Sequence, residues 1–261
     1  MDVTVFTTFH EKGYIEYGKA MLQSFMQHGP RDVRLVAYHE DFSPDLKSDA
    51  ITYRDLHRRC PNLLKFKQKF AKFELANGLV RNKDGGIVYD YRYDAVRFAN
   101  KIYCVLDILK ESPTPYVFWL DADVLIKKDI PERFFSDFLA EDIYTCFLGR
   151  EHMYSECGFV GYNTKHVNNA YFVNIMQSLY DSGDLFSLKE WHDSFIYDVV
   201  RKSMEEASLI RSTNISAHLT GGVMHPFVNS VLGEYMDHLK GPKRKATGAS
   251  FKEDYIVEKD N

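Results

Sequence analysis

One short segment constrains the fold of this chain more than any other. The run Tyr116–Leu120 (YVFWL) is apolar throughout and leads directly into Asp121-Ala122-Asp123. Such a run predicts a strand buried on both faces, as in a parallel sheet covered by helices. Ligands of α/β sheets bind beyond the carboxyl ends of the strands, where the two aspartates would lie. Two carboxylates there can hold a divalent cation that bridges a diphosphate.

The opening of the chain predicts a β-α-β unit. Val3–Phe6 is a β-branched and aromatic run, and Tyr14–His28 has helical spacing that ends at Gly29-Pro30. Val33–Tyr38 predicts a second strand. In this unit, a right-handed crossover joins two parallel strands. The opening and the central apolar run therefore indicate the same fold class, α/β with a mostly parallel sheet flanked by helices.

The length of 261 residues favours one large domain over two equal ones. A chain of this mass buries roughly 73% of its unfolded surface on folding, so its core needs no disulfide or metal to hold it. We expect one domain over residues 1–245 and a polar tail over residues 246–261. The sequence pattern of the stretch 42–86 is less regular, and we expect an insertion or lid there.

Composition excludes several classes of protein. The 33 basic and 37 acidic residues give a net charge of −4, which provides no global attraction for nucleic acid or anionic membrane. The four cysteines form no Cys-x-x-Cys pair that would indicate zinc or redox chemistry. No apolar run approaches the roughly 20 residues of a transmembrane helix, and the N-terminus lacks the features of a signal peptide. We therefore expect a cytoplasmic protein.

The strand that ends in Asp121-Ala122-Asp123 resembles that of the metal-dependent GT-A glycosyltransferases, whose sugar-nucleotide site is built around a DxD motif. The resemblance implies a Rossmann-like GT-A sheet, a Mn²⁺ or Mg²⁺ ion and a nucleotide-sugar donor, with a UDP-sugar favoured. Asp123 would bind the metal directly. Asp121 would bind it through water or hold the ribose, and Ala122 would lie at the donor. The alternative is a pair of loop aspartates that cap the next segment.

Two further segments resemble the donor-binding parts of these enzymes. Thr7, Thr8 and Tyr14 fall on what looks like the family's first strand and nucleotide-facing loop. Arg97 and Lys101 lie four residues apart on the helix before the DxD strand, where the family often has a basic residue facing the donor. They share one helix face and could both reach phosphate or the aspartates. The alternative is a solvated helix face.

Two acidic residues are candidates for catalysis. Glu190–Ser194 (EWHDS) resembles the acidic motif near the anomeric carbon of retaining GT-A enzymes, including the Trp-His-Asp of blood-group-type transferases. Those enzymes usually have Glu where this chain has Ser194, and Asp193 is our candidate carboxylate. Glu156 precedes Gly158 in a region where GT-A proteins often place acceptor-facing residues, so it could bind sugar hydroxyls or act as a base. The alternative for Asp193 is a cap of the helix that follows, and the alternative for Glu156 is a plain turn and strand.

Near the C-terminus, His238, Gly241 and Lys243 resemble the His-x-x-Gly-x-x-Lys pattern of glycogenin-like and galactosyltransferase-like retaining families. There the histidine completes the metal shell and the lysine approaches the diphosphate. The resemblance thus implies Asp121, Asp123 and His238 as metal ligands and adds Gly241 and Lys243 to the donor site. It also favours transfer with retention.

Two other functions stay open at this point. A metal-dependent sugar nucleotidyltransferase has a similar core and strand-end aspartates, but usually a Gly-rich loop after its first strand; Thr7–Gly13 holds one glycine. A non-catalytic carbohydrate-binding protein could retain a degenerate GT-A fold, because fold does not imply function. The acceptor, whether glycan, protein or modified nucleobase, and the oligomeric state are open as well.

Overall fold

A computed structural model describes residues 2–256, and its strands and helices are defined as follows. The strands are β1 Val3–His10, β2 Arg34–Glu40, β3 Ile51–Asp55, β4 Leu79–Arg81, β5 Ile87–Tyr89, β6 Tyr116–Leu120, β7 Val124–Ile126, β8 Thr145–Leu148, β9 Glu156–Asn163, β10 Ser212–Asn214 and β11 Met236–His238. The α-helices are α1 Glu11–Gly13, α2 Lys19–His28, α3 Leu56–Arg59, α4 Pro61–Phe70, α5 Ala95–Glu111, α6 Asn169–Ser182, α7 Asp193–Glu206, α8 Pro226–Asn229 and α9 Pro242–Thr247. Within residues 2–256, no helix is both long and apolar enough to cross a bilayer.

Seven strands form the main sheet, in the order β10-β8-β9-β6-β1-β2-β3. Strand β9 runs antiparallel to β6 and β8, and the other neighbours in the sheet are parallel. Two hydrophobic cores include side chains from the helices and the sheet. The predicted α/β class, with a mostly parallel sheet flanked by helices, is therefore confirmed.

The predicted central strand β6 lies between β1 and β9. Its side chains from Val117 to Leu120 are buried, as the apolar run predicted. Strands β1, β6, β8 and β10 point in one direction, so their carboxyl ends lie at one edge of the sheet. We call this the carboxyl edge. Asp121 follows β6 at this edge, and the antiparallel β9 begins there with Glu156.

The C-terminal part of the chain does not follow its local sequence pattern. The apolar spacing from Val228 to Met236 is typical of a helix, but the structure has α8, a 3₁₀ turn and then strand β11. Ser230 divides this segment, because its backbone is extended and its hydroxyl accepts the N–H of Leu232. Strand β11 pairs antiparallel with β7, which places His238 opposite Val124. This short ribbon brings the C-terminal segment beside the DxD motif.

The stretch 42–86 contributes to the main fold. Its strand β3 extends the main sheet at one end, and α4 places Leu63 and Phe66 in the core. The hairpin of β4 and β5 follows as a separate two-stranded sheet.

The described part of the predicted polar tail is held by hydrogen bonds. The Ser250 hydroxyl donates to Asp237 over 2.6 Å, and Arg244 pairs with Asp254. Residues 257–261 of that predicted tail lie outside the described residues.

The close packing of β9 on its neighbours gives a prediction for Gly161→Ala. A Cβ at this position would lie 2.5 Å from Cε1 of Phe118 and 2.6 Å from Sγ of Cys146. We expect the free energy of unfolding to fall by about 1–3 kcal/mol, as in other overpacked cores. Urea denaturation measures this change. In the control Gly86→Ala the nearest neighbour is the flexible side chain of Asn82, and a change of under about 1 kcal/mol is expected. Equal stability of the two variants would contradict the packing argument.

Candidate active site

Three potential metal ligands meet at the carboxyl edge of the sheet. One ligand atom each from Asp121, Asp123 and His238 lie within 4.8 Å of one another. Nε2 of His238 is 3.4 Å from Oδ2 of Asp121 and 3.2 Å from Oδ1 of Asp123. We call these three residues the metal cluster. It joins the DxD motif to a histidine that is distant in sequence, as the resemblance implied.

Backbone hydrogen bonds fix the metal cluster from both sides. The N–H of Asp121 donates to the carbonyl of Gly158 over 2.9 Å, and the N–H of Leu239 donates to the carbonyl of Asp123 over 2.9 Å. The ribbon of β7 and β11 also pairs His238 with Val124 and the preceding Asp237 with Leu125. The ligands therefore lie on paired backbone, which holds their geometry before any ligand binds.

The donor set of the cluster fits a divalent cation. Carboxylate oxygens suit Mg²⁺ and Mn²⁺, and an imidazole nitrogen is a ligand that transition metals accept. Burial alone would lower the pKa of His238, but Asp123, Asp121 and Glu156 outweigh it and raise the pKa well above its usual value. A metal that binds His238 would therefore displace a proton from the ring.

Glu156 contacts the ring nitrogen of His238 that faces away from the aspartates. Its Oε1 lies 3.0 Å from Nδ1 of His238 and 3.4 Å from Nζ of Lys240, and its side chain is 1% exposed. This close approach requires Gly158, since a Cβ there would lie 2.6 Å from Cε1 of the histidine. Glu156 therefore lies behind a candidate metal ligand, in the buried interior of the site.

Lys101 connects the metal cluster to Asp193. Its ammonium lies 2.9 Å from Oδ1 of Asp121, 2.7 Å from Oδ2 of Asp193 and 2.5 Å from the carbonyl of Cys157. Burial would lower the pKa of Lys101, but the two carboxylates outweigh it and raise the pKa above its usual value. Trp119 adds a hydrogen bond of 2.6 Å to the same Oδ1 of Asp121. The structure thus brings Asp121, Lys101 and Asp193 into one network.

Asp193 is the first residue of α7, and its side chain is 11% exposed. A carboxylate is stabilised at a helix N-terminus, where the backbone dipole is positive. The preceding His192 lies 3.1 Å from Oε2 of Glu190, whose Oε1 accepts the Tyr154 hydroxyl over 3.0 Å. This buried set supports the turn that presents Asp193.

The resemblance gave Lys243 a place at the diphosphate, and the structure places this lysine on α9. Lys243 stands five residues after His238, whereas the His-x-x-Gly-x-x-Lys pattern requires six. Its side chain is exposed. Gly241 has a left-handed φ of 83° just before this helix. Within α9, the lysine that reaches the metal cluster is Lys245, whose ammonium lies 2.8 Å from Oδ2 of Asp123. Sequence reasoning missed Lys245 because the helix register of α9 decides which lysine faces inward.

The other predicted donor residues make no hydrogen bond to the cluster among residues 2–256. Thr7 is buried in β1, and the Thr8 hydroxyl donates to the carbonyl of Tyr38. Tyr14 donates to Asp45 over 2.5 Å, and Arg97 donates to the hydroxyl of Tyr89 over 3.1 Å. Ala122 is buried between the two aspartates.

Sequence reasoning also missed Tyr17, which lies in the π-helical turn between α1 and α2. The ammonium of Lys245 lies 4.1 Å from the centre of its ring. Burial, followed by the negative charge of Asp123, raises the pKa of Tyr17 to about 12. The sequence shows Tyr17 as one apolar position of a helix. The π turn, which is a frequent feature of functional sites, could not be seen there.

No family model and no curated protein sequence matches this chain. Among solved structures, mouse xyloside xylosyltransferase 1 in its apo form superposes with a TM-score of 0.51 at 12% identity, over 83% of this chain and 86% of that one. The apo structure of the bifunctional glycosyltransferase WbbM superposes with a TM-score of 0.52 at 15% identity, over 92% of this chain and 46% of that one. The chain therefore has the GT-A fold of glycosyltransferases, with a DxD motif at its carboxyl edge.

The network around Lys101 gives a stability prediction for Lys101→Met. The substitution leaves the carboxylates of Asp121 and Asp193 without their shared cation. We expect the free energy of unfolding to fall by about 3 kcal/mol, as when one partner of a buried ion pair is removed. Urea denaturation without metal measures this loss. The control Lys12→Met removes a lysine whose side chain is 79% exposed, and its stability should match that of the wild type. A stable Lys101→Met variant would contradict the network.

Proposed function

We propose that this protein is a metal-dependent glycosyltransferase. It transfers a sugar from a nucleotide-diphosphate sugar, with a UDP-sugar favoured, to an acceptor with retention of configuration. One observation carries the proposal: the convergence of Asp121, Asp123 and His238 at the carboxyl edge of a GT-A sheet. At this edge, α/β folds bind nucleotides.

The metal would be held by Asp123 and His238, with Asp121 bound through water or directed to the ribose. Both Lys101 and Trp119 contact Oδ1 of Asp121, which supports this lesser role in binding the metal. The imidazole in the donor set favours Mn²⁺ over Mg²⁺. When bound, the cation supplies a Lewis acid that neutralises the charge developing on the diphosphate.

Side chains around the cluster would complete the donor site. We assign to Lys245 the contact with the diphosphate that the sequence pattern gave to Lys243, because Lys245 already lies beside Asp123. Its fixed positive charge would stabilise the leaving group as negative charge develops. The ring of Tyr17 lies under the same ammonium. The half of the site nearest β1, with Arg97 on α5, would then receive the nucleoside.

Asp193 would stabilise positive charge on the transferred sugar. Breaking a glycosidic bond produces an oxocarbenium-like transition state, which a nearby carboxylate stabilises. The ion pair with Lys101 holds the Asp193 carboxylate in place, which suits this role better than removal of a proton from the acceptor. This supports retention, in which no general base on the opposite face of the sugar is required.

Glu156 would position His238 instead of acting as a base. Its burial and its contact with Nδ1 leave Nε2 of the ring directed at the aspartates. A carboxylate behind a metal-binding histidine fixes the orientation of the ring and makes it a stronger ligand. We thus reassign this residue from catalysis to support of the metal site.

This assignment predicts how two variants of Glu156 bind Mn²⁺. Glu156→Leu should raise the Kd for Mn²⁺ roughly 10–100-fold, because the ring loses its orienting carboxylate. Glu156→Gln keeps an oxygen in the same place and should recover much of the affinity. Electron paramagnetic resonance of free Mn²⁺ measures both, and Glu132→Leu on the surface is the control. Unchanged affinity together with lost turnover would instead indicate a catalytic base.

A screen of nucleotide sugars tests the proposed function itself. We expect Mn²⁺-dependent release of nucleotide from one member of a panel of UDP-, GDP-, CMP- and TDP-sugars, and none with EDTA. Asp123→Ala should lose this activity because it removes a metal ligand, whereas Asp137→Ala, with a side chain that is 64% exposed, should retain it.

Other outcomes of the screen would favour a different function. Release of pyrophosphate from a nucleoside triphosphate and a sugar phosphate would indicate a nucleotidyltransferase. If no donor turned over and none raised the thermal stability with Mn²⁺, the nucleotide-sugar proposal would be wrong, because a bound ligand stabilises the folded state by mass action.

A further inference from the structure

A concave site lies at the carboxyl edge, on the side of the metal cluster where β8 and β10 end. It is a pocket of about 380 Å³ between the carboxyl ends of β8 and β10 and one face of α7. Gly149 and Arg150 follow β8, Asn214 ends β10, and Asp198 and Arg201 come from α7. The metal cluster and its donor side do not include these residues.

The sheet order sets the distance between the pocket and the metal cluster. From β6, which carries the DxD motif, the neighbouring strands in this direction are β9, β8 and β10. Adjacent strands lie about 4.8 Å apart, so the ends of β8 and β10 lie roughly 10–15 Å from that of β6. Helix α7 gives a second measure of this distance. Asp193 is its first residue, and Asp198, which lines the pocket, lies about 7.5 Å further along the helix axis. These distances correspond to one or two sugar rings.

The pocket opposes the side of the cluster proposed for the nucleoside. Strand β1 and Tyr17 lie on one side of β6, and β8 and β10 lie on the other. A donor held across the DxD motif would therefore have its sugar between the nucleoside and this pocket.

Asn214 offers hydrogen-bond donors to the pocket. Its Oδ1 accepts the N–H of Gly149 over 2.8 Å, the N–H of Ser216 over 3.1 Å and the hydroxyl of Ser216 over 3.0 Å. These bonds fix the orientation of the amide and leave its NH₂ group for a ligand.

Arg201 lines the same pocket with a guanidinium that is held in place. It is 5% exposed, its Nη1 donates to Glu205 over 2.6 Å and its Nη2 donates to Asp198 over 3.1 Å. Carbohydrate hydroxyls accept hydrogen bonds from such amide and guanidinium groups and donate to backbone carbonyls.

The lining argues against a nucleobase as occupant. A base would need an open aromatic face on which to stack. Phe147 lines the pocket, but the guanidinium of Arg201 covers its ring at 4.0 Å. The remaining lining side chains are mostly polar or charged, including Ser155, Ser216, Thr220 and Lys202.

We propose that this pocket is the acceptor subsite and that the acceptor is a carbohydrate. The pocket binds a saccharide through Asn214 and the polar side chains around it, and the adjoining α7 presents Asp193 between this saccharide and the donor sugar. The role in transfer rests on the proposed function. The binding of a saccharide does not, so the two can be tested separately.

The binding test uses methyl glycosides of glucose, galactose, mannose and xylose, observed by saturation-transfer difference NMR with UDP and Mn²⁺ present. Ala217→Trp and Thr220→Trp each place a large ring in the pocket from an exposed rim position. The matched control Val167→Trp has an 87% exposed site after β9, at the opposite edge of the sheet. We expect a saccharide signal in the wild type and in the control, and its loss in both pocket variants.

A transfer test gives the second readout. With the donor found in the nucleotide-sugar screen, the ratio of saccharide glycosylation to donor hydrolysis should fall about tenfold or more in each pocket variant, because the acceptor contacts are lost. The ratio should stay at the wild-type value in Val167→Trp.

The outcomes separate the two proposals. A saccharide signal that persists in both pocket variants, or no signal from the wild type, overturns the subsite. Binding that both variants abolish, in a protein that releases no nucleotide from any donor, supports the pocket while contradicting the proposed function. Transfer to a peptide that is unaffected by both variants would also overturn the proposal.

Discussion

The candidate active site depends on one short backbone pairing, the antiparallel ribbon of β7 and β11. It joins the segment just after the DxD motif to a strand near the C-terminus, and it places His238 against Asp123. Such a long-range contact has an entropic cost because it closes a large loop. Packing offsets that cost, since Phe227, Leu232 and Met236 around β11 are buried in the core beneath the sheet. The geometry of the metal cluster thus depends on the hydrophobic core through the three residues of strand β11.

Electrostatics imposes the second constraint. Four carboxylates, those of Asp121, Asp123, Glu156 and Asp193, lie close together in the site. The structure balances them with Lys101, Lys240, Lys245 and the imidazole of His238, whose pKa they raise, each within 3.4 Å of at least one of them. A divalent ion would enter a site whose charges are already compensated and would replace the imidazole proton. The arrangement keeps the ligands in place while the cation is absent.

The local sequence pattern was sufficient to predict part of the fold. The buried strand before Asp121, the β-α-β opening and the helix that carries Lys101 were predictable because their apolar periodicity is strong. Strand β11 was not predictable, because three residues are too few to show an apolar periodicity and the preceding turns have the spacing of a helix. The same limit applies to Lys245 and Tyr17: a helical register and a π turn decide which side chain faces the cluster. The partnership of Glu156 with His238 could not be inferred either, because it arises from contacts between distant parts of the chain.

Gly158 has a consequence for how this site can change in evolution. No side chain fits between its backbone and the ring of His238, so the two positions share one volume. A lineage that replaced the glycine would have to move β11 or give up the histidine. We therefore expect positions 158 and 238 to covary among homologous sequences, with Gly and His gained or lost together. Such a paired signature would distinguish chains with a complete metal site from those that keep only the aspartates.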